Sequence, residues 1–297
     1  MVQEPPRIAG PVAHPKIPRI KPPPRSWDTH AHIFGPSDQF SYTEGRGYTP
    51  PDAPVENFVA LLDHLGMARG VAVQGNAHGY DNRVLLDALA RFPDRLRGVA
   101  ITDTRIAPRT LRDWHALGMR GLRFHLFSDA GKPGYVRGVG LDVFEVFRST
   151  MAELGWVMQI FCDWRLMSEL SPVLRDISRQ MPVVIDHMLH IPAERGIGDP
   201  NFQALLRLVG DGDVHVKVSA PYRLSSQFPD YQDARAFHDA LVAANPERLI
   251  WGSDWPVLNL AADYGRWLHL AETLIDELPE PDRQHVWHDN AQAFYGL

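Results

Sequence analysis

Residues 27–36 read WDTHAHIFGP, an apolar run that ends in two histidines one residue apart and then breaks at Gly35 and Pro36. A strand turns successive side chains to opposite faces, so His30 and His32 share one face while Thr29, Ala31 and Ile33 share the other. Two imidazoles therefore aim at one small volume. A lone buried histidine mostly satisfies hydrogen bonds, but a same-face pair at a strand end asks for a chemical role. The stretch also separates two folds. An open doubly wound sheet carries a glycine-rich phosphate turn after its first strand, and HAHIFGP is not one.

Working outward, short apolar or β-branched runs recur at intervals long enough to hold a helix: SWDTHAHIF, GVAVQG, LRGVAI, GLRFHLF, WVMQIF, VVIDHM, VHVKVSA and LIWGSDWP. Amphipathic patterns separate them, at 57–66, 81–92, 110–118, 141–155 and 201–210, several ending in glycine as a helix C-terminus prefers. Eight such units predict a closed (β/α)₈ barrel, in which function collects at the C-terminal ends of the strands.

The 297 residues, 44% of them hydrophobic, suffice for one large α/β domain. Eight of the 25 prolines fall within residues 1–25, which predicts an extended, polyproline-like arm ahead of one catalytic domain over 26–297. A net charge of −6 gives no general attraction to nucleic acid or to anionic membranes. The lone cysteine, Cys162, cannot pair within the chain; with no signal peptide and no long apolar run, a cytoplasmic protein is expected. Homo-oligomerisation is left open.

The strand ends carry the chemistry. His187 follows VVID and Asp254 lies in LIWGSDWP, so three imidazoles and one carboxylate are expected to converge on the barrel mouth. Such a set can hold a single divalent metal such as Zn²⁺, or run acid–base chemistry without one, with Asp254 as base. His78, in QGNAHGYDN after the second run, either contacts substrate or orders its loop. Lys217 in VHVKVSA reads as a barrel-interior or loop partner rather than a nucleophile. His64, His115, His238, His269, His285 and His288 lie away from strand ends and receive no role.

DTHAHIFGP, LDHLGMARGVAVQGNAHGYDN, GMRGLRF, VVIDHM and LIWGSDWP together resemble the amidohydrolase superfamily, within it the branch of pyrone dicarboxylate lactonases. The resemblance implies that His30, His32, His187 and Asp254 form the active site. It also implies that Tyr48, Asn76, Arg123, Arg223 and Asn259 line a pocket for a small carboxylated lactone, where paired guanidinium hydrogen bonds suit a carboxylate. Metal-binding members usually add a ligand from the fifth strand or a lysine or glutamate from the fourth. Here the fifth strand ends Gln159, Ile160, Phe161, which favours a metal-free site, with His125 and His190 as additional imidazoles nearby. The chain departs from the dicarboxylate pattern at Asp129, Phe161 and His190, which points to a different lactone, of muconolactone or sugar-acid type. A metal-dependent decarboxylase and a non-catalytic carboxylate-binding barrel are the alternatives. The missing fifth-strand histidine argues against the first, and the retained Asp254 and histidine pair against the second.

Overall fold

The computed structural model describes residues 5–11, 15, 21–127, 139–227, 230–256, 275 and 277–296. Eight strands, β1 (Trp27–Ala31), β2 (Arg69–Val73), β3 (Leu96–Ala100), β4 (Met119–Leu126), β5 (Val157–Cys162), β6 (Val183–Ile185), β7 (His215–Val218) and β8 (Leu249–Trp251), form one parallel sheet in sequence order. Helices α1 (Val55–Leu65), α2 (Arg83–Arg91), α3 (Pro108–Ala116), α4 (Leu141–Leu154), α5 (Met167–Ser178), α6 (Pro200–Gly210) and α7 (Arg235–Ala244) fill the connections. The expected (β/α)₈ barrel is therefore the fold. Five helices match the sequence patterns to within two residues at each end; α5 and α7 were not among those patterns, and Pro172 inside α5 obscures its period.

The two apolar clusters follow from strand alternation. Trp27, Val71, Val73, Val99, Val157, Val184 and Ile250 pack together inside the barrel. Ala291, Phe294 and Tyr295 of the last helix, α8 (Asn290–Tyr295), join them and close its amino-terminal end. The intervening residues face the helices; a side chain at Gly70 would lie 2.7 Å from the Phe58 ring of α1, so glycine there lets the helix approach.

Closure is where fold and site meet. Neighbouring strands share ladders throughout, but β8 reaches β1 only beyond its own end, through an Ala31–Trp255 bridge, with His32 N donating to Trp255 O and Asp254 N to His30 O, both at 2.8 Å. A Cβ at Gly252 would sit 2.8 Å from that of His30, so the seam requires glycine. The buried Asp28 carboxylate grips both sides, accepting from Ser253 N (2.9 Å), Ser253 Oγ (2.5 Å) and His30 N (3.1 Å). Of the N-terminal arm, Arg7 and Ile8 pair with Thr49 in the loop after β1. No helix among the described residues is long and apolar enough to cross a membrane.

Candidate active site

A slip in the β1–β2 register between Asp28 and Ala31 turns the end of β1 into the barrel mouth, with the His30 and His32 rings edge to face, centroids 5.0 Å apart. His32 Nδ1 donates to Val73 O (2.9 Å), which leaves Nε2 directed at the mouth. His187 arrives differently. The residues from His187 to His190 all have positive φ, 55, 49, 67 and 41°, a left-handed turn without glycine. Each such residue costs roughly 1–2 kcal/mol, offset here by burial of His187, Met188 and Leu189. Asp254 (φ 57°) and Ala220 (φ 50°) add two more left-handed residues at the same mouth.

Asp254 is the centre of the cluster. Its Oδ2 accepts from the Tyr222 hydroxyl and from Arg223 Nη2 (3.3 Å). Its Oδ1 is buried and has no hydrogen-bond donor, yet faces Nε2 of His32 at 3.5 Å, of His30 at 3.6 Å and of His187 at 3.9 Å. Burial alone would raise this carboxyl, but facing His187 and Arg223 it is held well below the usual carboxylate range. Burial drives His187 well below the usual imidazole value and, with Lys217 beside it, lowers His30 to about 3, so both rings are neutral at physiological pH.

A second buried aspartate lies one layer deeper. Asp186 Oδ2 accepts from Arg123 Nε (2.9 Å), and both its oxygens accept from Gln159 Nε2 (2.8 and 3.1 Å). Its Oδ1 also stands 3.4 Å from His30 Nδ1 and 3.8 Å from Lys217 Nζ. Burial would raise it; Arg123, His30 and Lys217 together hold it well below the usual range. Lys217, on β7, is lowered to about 7 by burial, against the pull of Asp186.

Four ligands at tetrahedral corners, about 2.1 Å from a zinc ion, lie roughly 3.4 Å apart. At the mouth the two Nε2 atoms of His30 and His32 are 3.4 Å apart and each is 3.5–3.6 Å from the donor-less Asp254 Oδ1, with His187 Nε2 just behind. His30, His32 and Asp254 have the spacing of ligands to one divalent ion. The other group with metal-like spacing, His30, Asp186 and His187, already has its carboxylate matched by Arg123, Gln159 and Lys217. The expectation of a metal-free site rested on the end of β5, where Gln159 is indeed spent on Asp186 and Lys217; the mouth fits a cation without it.

The other expected site residues divide by position. Arg123 and Arg223 flank the Phe161 ring, their guanidinium carbons 5.1 and 5.8 Å from its centroid, with His190 stacked on it at 4.6 Å and His125 edge-on at 6.2 Å. Arg123 is buried on Asp186, while Arg223 is partly exposed on Asp254. Asn76 is buried in the turn after β2, its Oδ1 without a hydrogen-bond partner. His78, in the same turn, bonds Ser41 O (3.1 Å) and stacks on Phe34. Tyr48 packs half-buried against the core from the loop after β1. Asn259, Asp129 and His269 lie outside the described residues. Of the histidines given no role, His115 accepts from Trp156 Nε1 (2.9 Å) and His238 is buried beside Asp239. Sequence reasoning missed Asp28, Asp186, Tyr222, Ser253 and Ser219, whose Oγ lies 2.9 Å from His187 Nδ1. The available signal was adjacency, since each of these residues neighbours, or lies two positions from, a residue already singled out.

A family profile described as Amidohydrolase matches residues 27–297. A 4-sulfomuconolactone hydrolase of Hydrogenophaga intermedia is 32% identical over 302 residues, covering 99% of this chain and 96% of its own length. A 2-pyrone-4,6-dicarboxylate hydrolase of Comamonas testosteroni is 34% identical over 259 residues, 84% of this chain and 82% of its own. Among solved structures, a probable 2-pyrone-4,6-dicarboxylic acid hydrolase from Acinetobacter baumannii with citric acid bound superposes with a TM-score of 0.79 at 27% identity, over 92% of this chain and 100% of that one.

Proposed function

The chain belongs to the amidohydrolase family, and from that premise we propose that it is a lactone hydrolase acting on a small lactone that carries a carboxylate or a comparable anionic group. The observation that carries the reading is Asp254 Oδ1, ionised, buried and without a donor, in the midst of three imidazoles. The hydrolases of muconolactone and pyrone type that this chain resembles support the substrate class.

In this reading Asp254 accepts the proton of the attacking water, and the resulting hydroxide adds to the lactone carbonyl. Negative charge grows on the carbonyl oxygen, where preorganised positive or N–H groups lower the barrier most. The neutral rings of His30 and His187 suit either arrangement of the mouth, lone pairs toward a cation or N–H toward the oxyanion. His30, His32 and Asp254 would hold a single divalent ion such as Zn²⁺, which would supply Lewis acidity there. Collapse of the adduct breaks the ring C–O bond, and Asp254 returns its proton to the departing oxygen. Arg223, beside Asp254 and partly exposed, receives the substrate's anionic group in this reading, while Arg123, buried on Asp186 behind Phe161, supports the wall of the pocket.

The test is a proton-release screen of carboxylated and sulfonated five- and six-membered lactones on protein of measured metal content. Turnover by the parent that disappears in Asp254→Asn is the expected result. Protein that is folded, with and without added zinc, and leaves the whole panel untouched would overturn the proposal.

A further inference from the structure

Lys217 is completely buried, and its side chain crosses the barrel interior from β7 to the far strands. Nζ donates to Thr29 O of β1 (2.7 Å) and to Gln159 Oε1 of β5 (2.9 Å), and stands 3.2 Å from His30 Nδ1 and 3.8 Å from Asp186 Oδ1 beyond β6. Burying an amine is costly, and an apolar residue would fill barrel space at less cost, so its retention needs a reason other than packing. Nor is it placed as a nucleophile, since the His30 ring stands between it and the mouth: Nδ1 meets Lys217 while Nε2 meets Asp254.

From this geometry we infer that Lys217 is a positioning residue, pinned by Thr29 O and Gln159 Oε1 and holding the His30 ring from behind, so that Nε2 points at Asp254 Oδ1. Two of its contacts do not involve His30, so Nζ is a fixed point against which the ring is set. Ring nitrogens at reactive centres commonly need such a partner on their far side, and losing it typically costs about 10- to 100-fold in activity or metal affinity. The role rests on the reading of His30 as part of the reactive cluster.

The test compares Lys217→Met with the parent in two ways. In steady-state hydrolysis kcat is expected to fall about 10- to 100-fold with KM within about threefold, because the substrate contacts are untouched while the reacting geometry loosens. In ¹H–¹⁵N spectra of histidine-labelled protein, the ring signals of His30, identified by their absence in His30→Gln, are expected to move, while those of His215 at the barrel floor stay. A folded Lys217→Met with parental kcat, or with KM alone raised, overturns the inference, as do unmoved His30 signals. A parent that turns over no lactone, with His30 signals that still shift in the variant, sinks the hydrolase reading and leaves the anchor standing. Should Lys217→Met fail to fold, Lys217→Gln keeps a donor without a charge; it is expected to lose part of the rate, and parental kcat there overturns the inference equally.

Discussion

Asp186 and Asp254 sit in the same barrel, both buried and both within 4 Å of the His30 ring, yet they are opposites. Asp186 has its oxygens taken by Arg123 and Gln159, with Lys217 close by. Asp254 has Tyr222 and Arg223 on one oxygen and nothing donating to the other. A buried carboxylate whose acceptors are all matched is part of the scaffold. One that keeps a bare oxygen among imidazoles retains the capacity to take a proton or hold a cation. The contrast assigns strength to the inner layer and reactivity to the outer one.

Exchanging each carboxylate for an amide tests that contrast most directly. Asp254→Asn is expected to remove most turnover, about 10² to 10⁴-fold in kcat, since an amide cannot accept water's proton, while the urea midpoint stays near the parental one. Asp186→Asn should do the reverse in stability. It leaves Arg123 and Lys217 facing no anion, and a broken buried pair costs roughly 3–5 kcal/mol in urea unfolding. Equal stability losses in the two variants would mean that both aspartates are scaffold.

The sequence made the outer layer legible and hid the inner one for a geometric reason. All eight strand runs could be placed, and with them the four mouth residues, because each of these lies within or just beyond a strand-like run. Asp186 precedes His187, however, and neighbours in a regular strand point to opposite faces, so only one of them should face inward. β6 in fact stops at Ile185, and the left-handed turn that begins at His187 brings both side chains into the barrel. Nothing in VVIDHMLH marks such a turn, since it contains no glycine. β8 likewise stops at Trp251, three residues before Asp254, so Asp254 is aimed by its own φ of 57° and by the seam rather than by a strand. Lys217 was legible as inward-facing, but its partners come from β1, β5 and β6, contacts of long sequence separation that no local pattern encodes.

The two arginines extend the contrast outward, with a smaller effect. Arg223→Met is expected to weaken an acidic lactone by about 10- to 150-fold in kcat/KM, the worth of a charge-assisted contact of roughly 1.5–3 kcal/mol, and to leave an uncharged lactone nearly as before. Arg123→Met, which removes the partner of Asp186, should instead appear mainly as lost stability, with both lactones affected alike. A charge-selective loss in Arg123→Met would move the anion pocket to the inner side of Phe161.

The smallest effect tests whether the floor of the barrel belongs to the scaffold in the same sense. His215 is buried beside Phe294, with Nε2 near Arg248 Nη1 (3.3 Å), and burial followed by that guanidinium lowers it to about 3 from an ordinary 6.5. Its folded value is depressed, so between about 6.5 and about 3 the unfolded chain binds the proton that the folded chain does not. The associated stability is complete above about 6.5 and drains away on acidification, at up to about 1.4 kcal/mol per pH unit. His30 drains in the same direction, whereas Asp28, raised to about 6 by burial, works the opposite way between about 6 and 3.8. His215→Gln removes one titrating group while keeping an acceptor for Arg248. Urea midpoints at pH 7, 6 and 5 should therefore fall less steeply in this variant than in the parent, with turnover at pH 7 unchanged. An unaltered slope would mean that His215 is not held neutral by the floor, and that the acid sensitivity of the fold resides at the mouth instead.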